Sequence, residues 1–113
     1  MKKIEAIIKP FKLEAIKEAL EELGIRGMTV TEVGGFAPRQ QGWAQTVFAK
    51  EYATDYLPRL KLEIVVSGRI ANRAVKAVIK ASKGLKNEEN LIFLTEIECA
   101  IRIRTGETGN GAL

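Results

Sequence analysis

Arg102 and Arg104 are the residues of this chain best suited to grip a charged ligand. Two guanidiniums two positions apart on a strand project from the same face and can clamp phosphate oxygens in fork geometry. The same pair also reads as an ordinary solvated strand face. Glu51, Asp55, Glu88 and Glu89 supply carboxylates that, paired, could bind a metal or act as acid and base. Acids on loops and helix ends are usually solvated, however, and the chain has no His to accompany them. The absence of His excludes an imidazole base, an imidazole metal ligand and any His-containing triad. Cys99 is the single cysteine, so no internal disulfide or multi-cysteine zinc site can form. Within Ile97-Glu98-Cys99-Ala100-Ile101 it reads as a buried, inert thiol.

These groups must be positioned by a small scaffold. The chain has 113 residues, 46% apolar and 28% charged, which fits one globular domain over residues 1–113. Its net charge of +4 permits a phosphate-bearing partner. No basic run of nucleic-acid type is present, and no apolar run is long enough to insert in a membrane. The N-terminus has no signal-peptide core, so a cytoplasmic location is expected.

Ile4, Ala6 and Ile8 alternate with charged residues and predict a strand that Pro10 stops. Leu13, Ile16, Leu20 and Leu23 form a helical stripe ended by Gly24. A second strand is expected over 28–33, closed by Gly34-Gly35, and a third over 57–66, with Leu60, Leu62, Ile64 and Val66 on one face. Ser67 stands near the start of a second helix, whose apolar positions are Ile70, Ala74, Val75, Val78 and Ile79 and which ends near Lys83-Gly84. A short fourth strand is expected over 91–94 and a fifth extended segment over 97–104, followed by a loosely held glycine-rich tail, 105–113. The order strand-helix-strand-strand-helix-strand, with a short extra C-terminal strand, is that of an α+β ferredoxin-like βαββαβ domain. Its antiparallel sheet would carry both helices on one face and leave the other to be covered, for which oligomer formation is one means.

Between the second and third strands, 36–56 is a stretch of roughly 20 residues without a clear element, longer than loops in compact domains usually run. It is either a hairpin extension through Gln45-Thr46-Val47-Phe48 or a docking loop with Trp43, Val47 and Phe48 as anchors.

Four runs resemble the PII nitrogen-regulatory signalling proteins: Lys3-Ile4-Glu5-Ala6-Ile7-Ile8-Lys9-Pro10-Phe11-Lys12-Leu13, Gly27-Met28-Thr29-Val30-Thr31-Glu32-Val33, Glu51-Tyr52 with Asp55-Tyr56-Leu57-Pro58, and Ile101-Arg102-Ile103-Arg104-Thr105-Gly106-Glu107. They lie in the family's order over nearly the whole chain. The resemblance implies a non-enzymatic regulator: a homotrimer that binds an adenine nucleotide (ADP, AMP or ATP) in clefts between subunits, with Mg and 2-oxoglutarate beside ATP. It further implies that 36–56 is the T-loop, which docks on a target such as an ammonium channel, metabolic enzyme or membrane transporter. No nucleic acid is implied as partner.

By that resemblance Ile7, Thr29, Glu63 and Val65 enclose the adenine, and Gly35, Phe36 and Arg39 belong to the nucleotide side. Arg102 and Arg104 meet the phosphates, with Lys86 in the phosphate-loop equivalent, 84–91. Gln40 and Gln41 stand at the Mg and 2-oxoglutarate motif, Gln40 as the metal ligand. Arg59 replaces the usual lysine toward the effector's far carboxylate, a change that keeps the charge and alters the geometry. Tyr52 matches a tyrosine that some bacteria modify by uridylylation, and Trp43, Val47, Phe48 and Tyr52 form the partner-docking set.

The chain also departs from the family pattern. Glu88 and Asn90 occupy glycine positions of the phosphate loop and Leu91 the lysine position. A carboxylate there opposes a triphosphate, and lost glycines hinder close backbone approach. Ala37-Pro38 replaces a single glycine at the loop base. The alternative expectation is therefore a divergent paralogue whose cleft answers to another small anion or that acts by loop docking alone. A small carboxylate-based enzyme is the distant one.

Overall fold

The computed structural model describes residues 1–36, 56–83 and 91–113. Four strands, β1 (Lys2–Ile8), β2 (Thr29–Phe36), β3 (Tyr56–Val66) and β4 (Ile92–Glu96), form one antiparallel sheet in the order β2-β3-β1-β4. Two helices, α1 (Leu13–Glu22) and α2 (Gly68–Ser82), connect β1 to β2 and β3 to β4. This is the α+β ferredoxin-like arrangement that the element order predicts.

Alternation decides which face is dry. Ile4, Ala6 and Ile8 of β1 and Leu60, Leu62, Ile64 and Val66 of β3 are buried in one cluster with Ile16 and Leu20 of α1 and Ala71, Ala74 and Val78 of α2. Both helices therefore cover the same side of the sheet. The intervening residues, Lys3, Glu5, Ile7, Lys61, Glu63 and Val65, are only half-buried on the open side.

Pro10 opens a 3-10 turn, Pro10–Lys12, that delivers the chain into α1. The helix ends at Gly24, with φ +82°. There the Gly24 N–H donates to Glu21 O (2.9 Å) and the Ile25 N–H to Leu20 O (3.2 Å). These paired bonds form a Schellman cap, and Leu20 and Ile25 meet in the core beneath it. Ser67 is the N-cap residue of α2, though its hydroxyl makes no capping bond.

Several expectations are corrected. β2 does not stop at Gly34-Gly35 but runs through them to Phe36, because β3 supplies partners as far as Tyr56. The long loop is thereby shortened to 37–55, outside the described residues, as is any strand at 45–48. After β4 there is no fifth strand. The Ile97 N–H reaches Met1 O, after which the chain leaves the sheet and only an isolated bridge, Ile101 opposite Thr108, remains of the extra C-terminal strand. Cys99 is exposed rather than buried, since no layer of the chain covers a segment that has left the sheet.

The tail is tied down, not loose. Gly106 N–H donates to Arg102 O, Arg102 N–H to Glu107 O and Gly109 N–H to Ala100 O, all at 2.8–3.0 Å. Gly106 and Gly109 take positive φ, which lets this short fold-back close before the 3-10 turn Gly109–Ala112.

Candidate functional site

Register places the positions expected to enclose adenine together on the open face. Thr29 pairs with Glu63, and Glu63 with Glu5, whose other neighbour is Phe93 of β4. Val65 lies in the next row opposite Lys3, and Ile7 in the row on the other side opposite Lys61. Thus Ile7, Thr29, Glu63 and Val65 occupy three adjacent rows of three central and edge strands.

A charge network runs through this patch. Lys3 Nζ lies 2.9 Å from Glu5 and 3.7 Å from Glu63, and Lys61 Nζ lies 3.6 Å from Glu63. The Lys3 hydrogen bond, with its charge, holds the Glu5 carboxyl below the ordinary carboxylate range. Reciprocally, the bond to Glu5 and its charge raise the Lys3 ammonium above its usual value. Lys3, Glu5 and Lys61 were not among the expected site residues. Their signal was the two-residue spacing of Lys3-Glu5 and Lys61-Glu63, which puts opposite charges on one face of adjacent strands.

Both ends of the segment expected to be the phosphate loop, 84–91, are anchored by hydrogen bonds. Lys12 Nζ donates to Lys83 O at 2.8 Å, just before that segment, and the Ile7 N–H donates to Leu91 O at 3.3 Å, at its last residue. Leu91 is 61% exposed. Lys12 also lies over the exposed Phe11 ring, 5.4 Å from its centroid. The 37–55 segment departs from the same end of the sheet, where Phe36 pairs with Tyr56 beyond the end of β1.

Arg102 and Arg104 are corrected in geometry. They lie in the fold-back after β4, not on a strand, so strand alternation does not aim them alike. Arg102 Nη2 contacts Leu113 O at 3.4 Å, while Arg104 is exposed. No described hydrogen bond or ion pair joins either arginine to Ile7, Thr29, Glu63 or Val65. Arg59 of β3 faces Val33, on the ribbon that extends past β1, and donates to Pro58 O at 2.9 Å. Gly35 and Phe36 end β2. Arg39, Gln40, Gln41, Trp43, Val47, Phe48, Tyr52 and Lys86 lie outside the described residues, as do Glu51, Asp55, Glu88 and Glu89. Among the described residues no cluster of His, Cys, Asp or Glu could hold a metal, and no helix is long and apolar enough to cross a membrane.

Exposed apolar residues cluster in sequence around β4: Phe93, opposite Glu5, is on the face of the patch, and Leu94, opposite Ile4, is on the helix side. Leu91, Phe93 and Leu94 on and before edge strand β4, with Ile101 and Ile103 beyond it, are all more than half exposed, Ile103 completely. An edge strand with this character is a surface made to be covered.

A ferredoxin-like sheet with an open charged face and exposed apolar residues at its β4 edge is the framework of a ligand-responsive or docking module. The profile of the nitrogen regulatory protein P-II family matches residues 1–107. Over the full length of both chains, the protein is 50% identical to the nitrogen regulatory protein P-II of Bradyrhizobium diazoefficiens, 49% to that of Cereibacter sphaeroides and 48% to that of Azospirillum brasilense. The chain belongs to the P-II family of nitrogen regulatory proteins, which are signalling proteins and not enzymes.

Proposed function

We propose that this P-II protein is a cytoplasmic homotrimer, each chain a single domain over 1–113, that senses an adenine nucleotide in clefts between subunits. The observation that carries this reading is the grouping of Ile7, Thr29, Glu63 and Val65 on the open face, with the end of the 84–91 segment held to Ile7 through Leu91 O. Thr29, Ile7 and Val65 offer a mixed apolar and hydroxyl surface for a base. Lys86 of the loop supplies charge for phosphate. Arg102 and Arg104 do not meet this patch within one chain, so a neighbouring copy is the natural source of the arginines that close the cleft. The exposed apolar side chains of Leu91, Phe93, Leu94, Ile101 and Ile103 favour such a neighbour.

Gln40 and Gln41, with Arg59, are the residues that would hold Mg and 2-oxoglutarate, the metal screening phosphate charge when bound. Occupancy biases the 37–55 segment, and with it the affinity of Trp43, Val47, Phe48 and Tyr52 for a target such as an ammonium channel, metabolic enzyme or membrane transporter. Such coupling requires the effector to bind the two loop states unequally. A second reading, response to another small anion, is favoured by Glu88, Asn90 and Leu91 in the phosphate loop.

Calorimetric titration with ATP, ADP and AMP, each with and without Mg and 2-oxoglutarate, tests these readings. Micromolar ATP binding strengthened by 2-oxoglutarate is the expected result. ADP or AMP binding alone would remove the 2-oxoglutarate arm, and no nucleotide binding would overturn the sensor reading in favour of the second. Phe93→Glu with Ile103→Glu is expected to convert a trimer to monomer by light scattering. An unchanged mass would refute the assigned interface.

A further inference from the structure

The outer face of α2 carries a feature that neither the sheet patch nor the family assignment uses. Its sequence, Gly68–Ser82, contains no acidic residue. Arg69, Arg73, Lys76 and Lys80, with Lys83 at the C-cap, recur at steps of four, three, four and three, the spacing of a single helical stripe. All five are exposed, and none takes part in a described ion pair. The stripe spans about 21 Å along the axis at ~1.5 Å per residue.

Folding does not call for this arrangement. Like charges three and four residues apart on a helix oppose its formation. Arg69 stands in the first turn, where the helix dipole disfavours a cation and where no acid is present. Solvated helix faces gain support by mixing charge signs, and this face does not.

The neighbouring helix narrows what could bind. On α1, which packs against the same sheet face, Glu14, Glu18, Glu21 and Glu22 are exposed. Packed helices lie about 8–10 Å apart, which is about one Debye length at physiological salt. A broad anionic surface, such as a lipid headgroup plane or a nucleic-acid duplex, would meet the α1 carboxylates as it reached the α2 cations. A ridge one helix wide would not.

We propose that the outer face of α2 is a docking surface for an acidic helix of a partner protein, one whose carboxylates recur at the same four-three spacing. Arg69, Arg73, Lys76, Lys80 and Lys83 pair with those carboxylates, and the half-exposed Ile79 (46%) supplies an apolar contact on the flank of the stripe, one turn after Lys76. The α1 carboxylates act against broader polyanions and so confer selectivity.

The test uses the full chain and two labelled synthetic helical peptides of identical composition, one with Glu at the four-three spacing and one with Glu distributed around the helix. Anisotropy titration is expected to show at least fivefold tighter binding of the striped peptide, weakened at least tenfold between about 50 mM and about 300 mM salt. Arg73→Glu with Lys76→Glu and Lys80→Glu should abolish it, while Arg73→Lys with Lys76→Arg and Lys80→Arg should retain it. Circular dichroism checks that both variants are folded, with the Gln versions as substitutes. Glu18→Lys with Glu21→Lys should raise binding to phosphatidylcholine vesicles containing one third phosphatidylserine, and to a short DNA duplex. Equal affinity for the two peptides, or binding that survives charge reversal, overturns the proposal. So does tighter binding of the unaltered chain to the vesicles or the duplex.

Discussion

Ile16→Ala probes the packing on which every position of the site depends. Ile16 is 0% exposed and sits where α1 meets β1, β3 and α2. The substitution removes three carbon groups that are fully out of water. At ~0.8 kcal/mol per group the transfer loss is about 2.4 kcal/mol. The unfilled space adds about 1 kcal/mol, bringing the total within the ~2–5 kcal/mol usual for such truncations. At about 4 °C per kcal/mol for a chain of this size, the thermal midpoint should fall by ~14 °C. Urea unfolding at several protein concentrations measures the loss and separates it from any effect of association. Ile79→Ala is the control: it makes the same deletion at a position 46% exposed on the outer side of α2 and should cost less than ~1 kcal/mol. Equal losses at the two sites, or a loss below about 1 kcal/mol at Ile16, would refute the assignment of inner and outer helix faces.

Two further outcomes follow from local chemistry. Glu5 has its carboxyl lowered from 4.5 by Lys3, so its contribution is present above that ordinary value and is lost as pH falls through the lowered one. Lys3, raised from 10.5, contributes fully below 10.5 and loses that contribution as pH climbs through its raised value. Stability measured against pH should therefore have an acid limb that Glu5→Gln flattens, and an unchanged limb would refute the pairing. Gly24→Ala meets no atom within 4 Å, so its cost is the left-handed backbone alone, about 1–2 kcal/mol by chemical denaturation. A neutral result would mean that the cap is remade without positive φ.

The amino-acid sequence determined the element order and the two faces of the sheet by itself. Alternation at Ile4, Ala6 and Ile8 and at Leu60 to Val66, and the three-four spacing at Ile16 and Leu20, are local signals that hold wherever one side of an element is buried. The family was equally legible, because its four marker runs are short and contiguous in the chain. Tertiary structure decided what depends on a partner across space. Gly34 and Gly35 read as a strand end, yet they pair because β3 continues opposite them. Arg102 and Arg104 have strand-like spacing, but β4 ends at Glu96 and no strand lies beyond to extend the ladder, so the segment folds back on its own glycines. Cys99 is exposed for the same reason. The Lys3–Glu5–Glu63–Lys61 network required the register of β1 against β3, which a one-residue slip would have sent to the helix side. Periodicity states which side of an element is dry; only the pairing of strands states which residues stand beside one another.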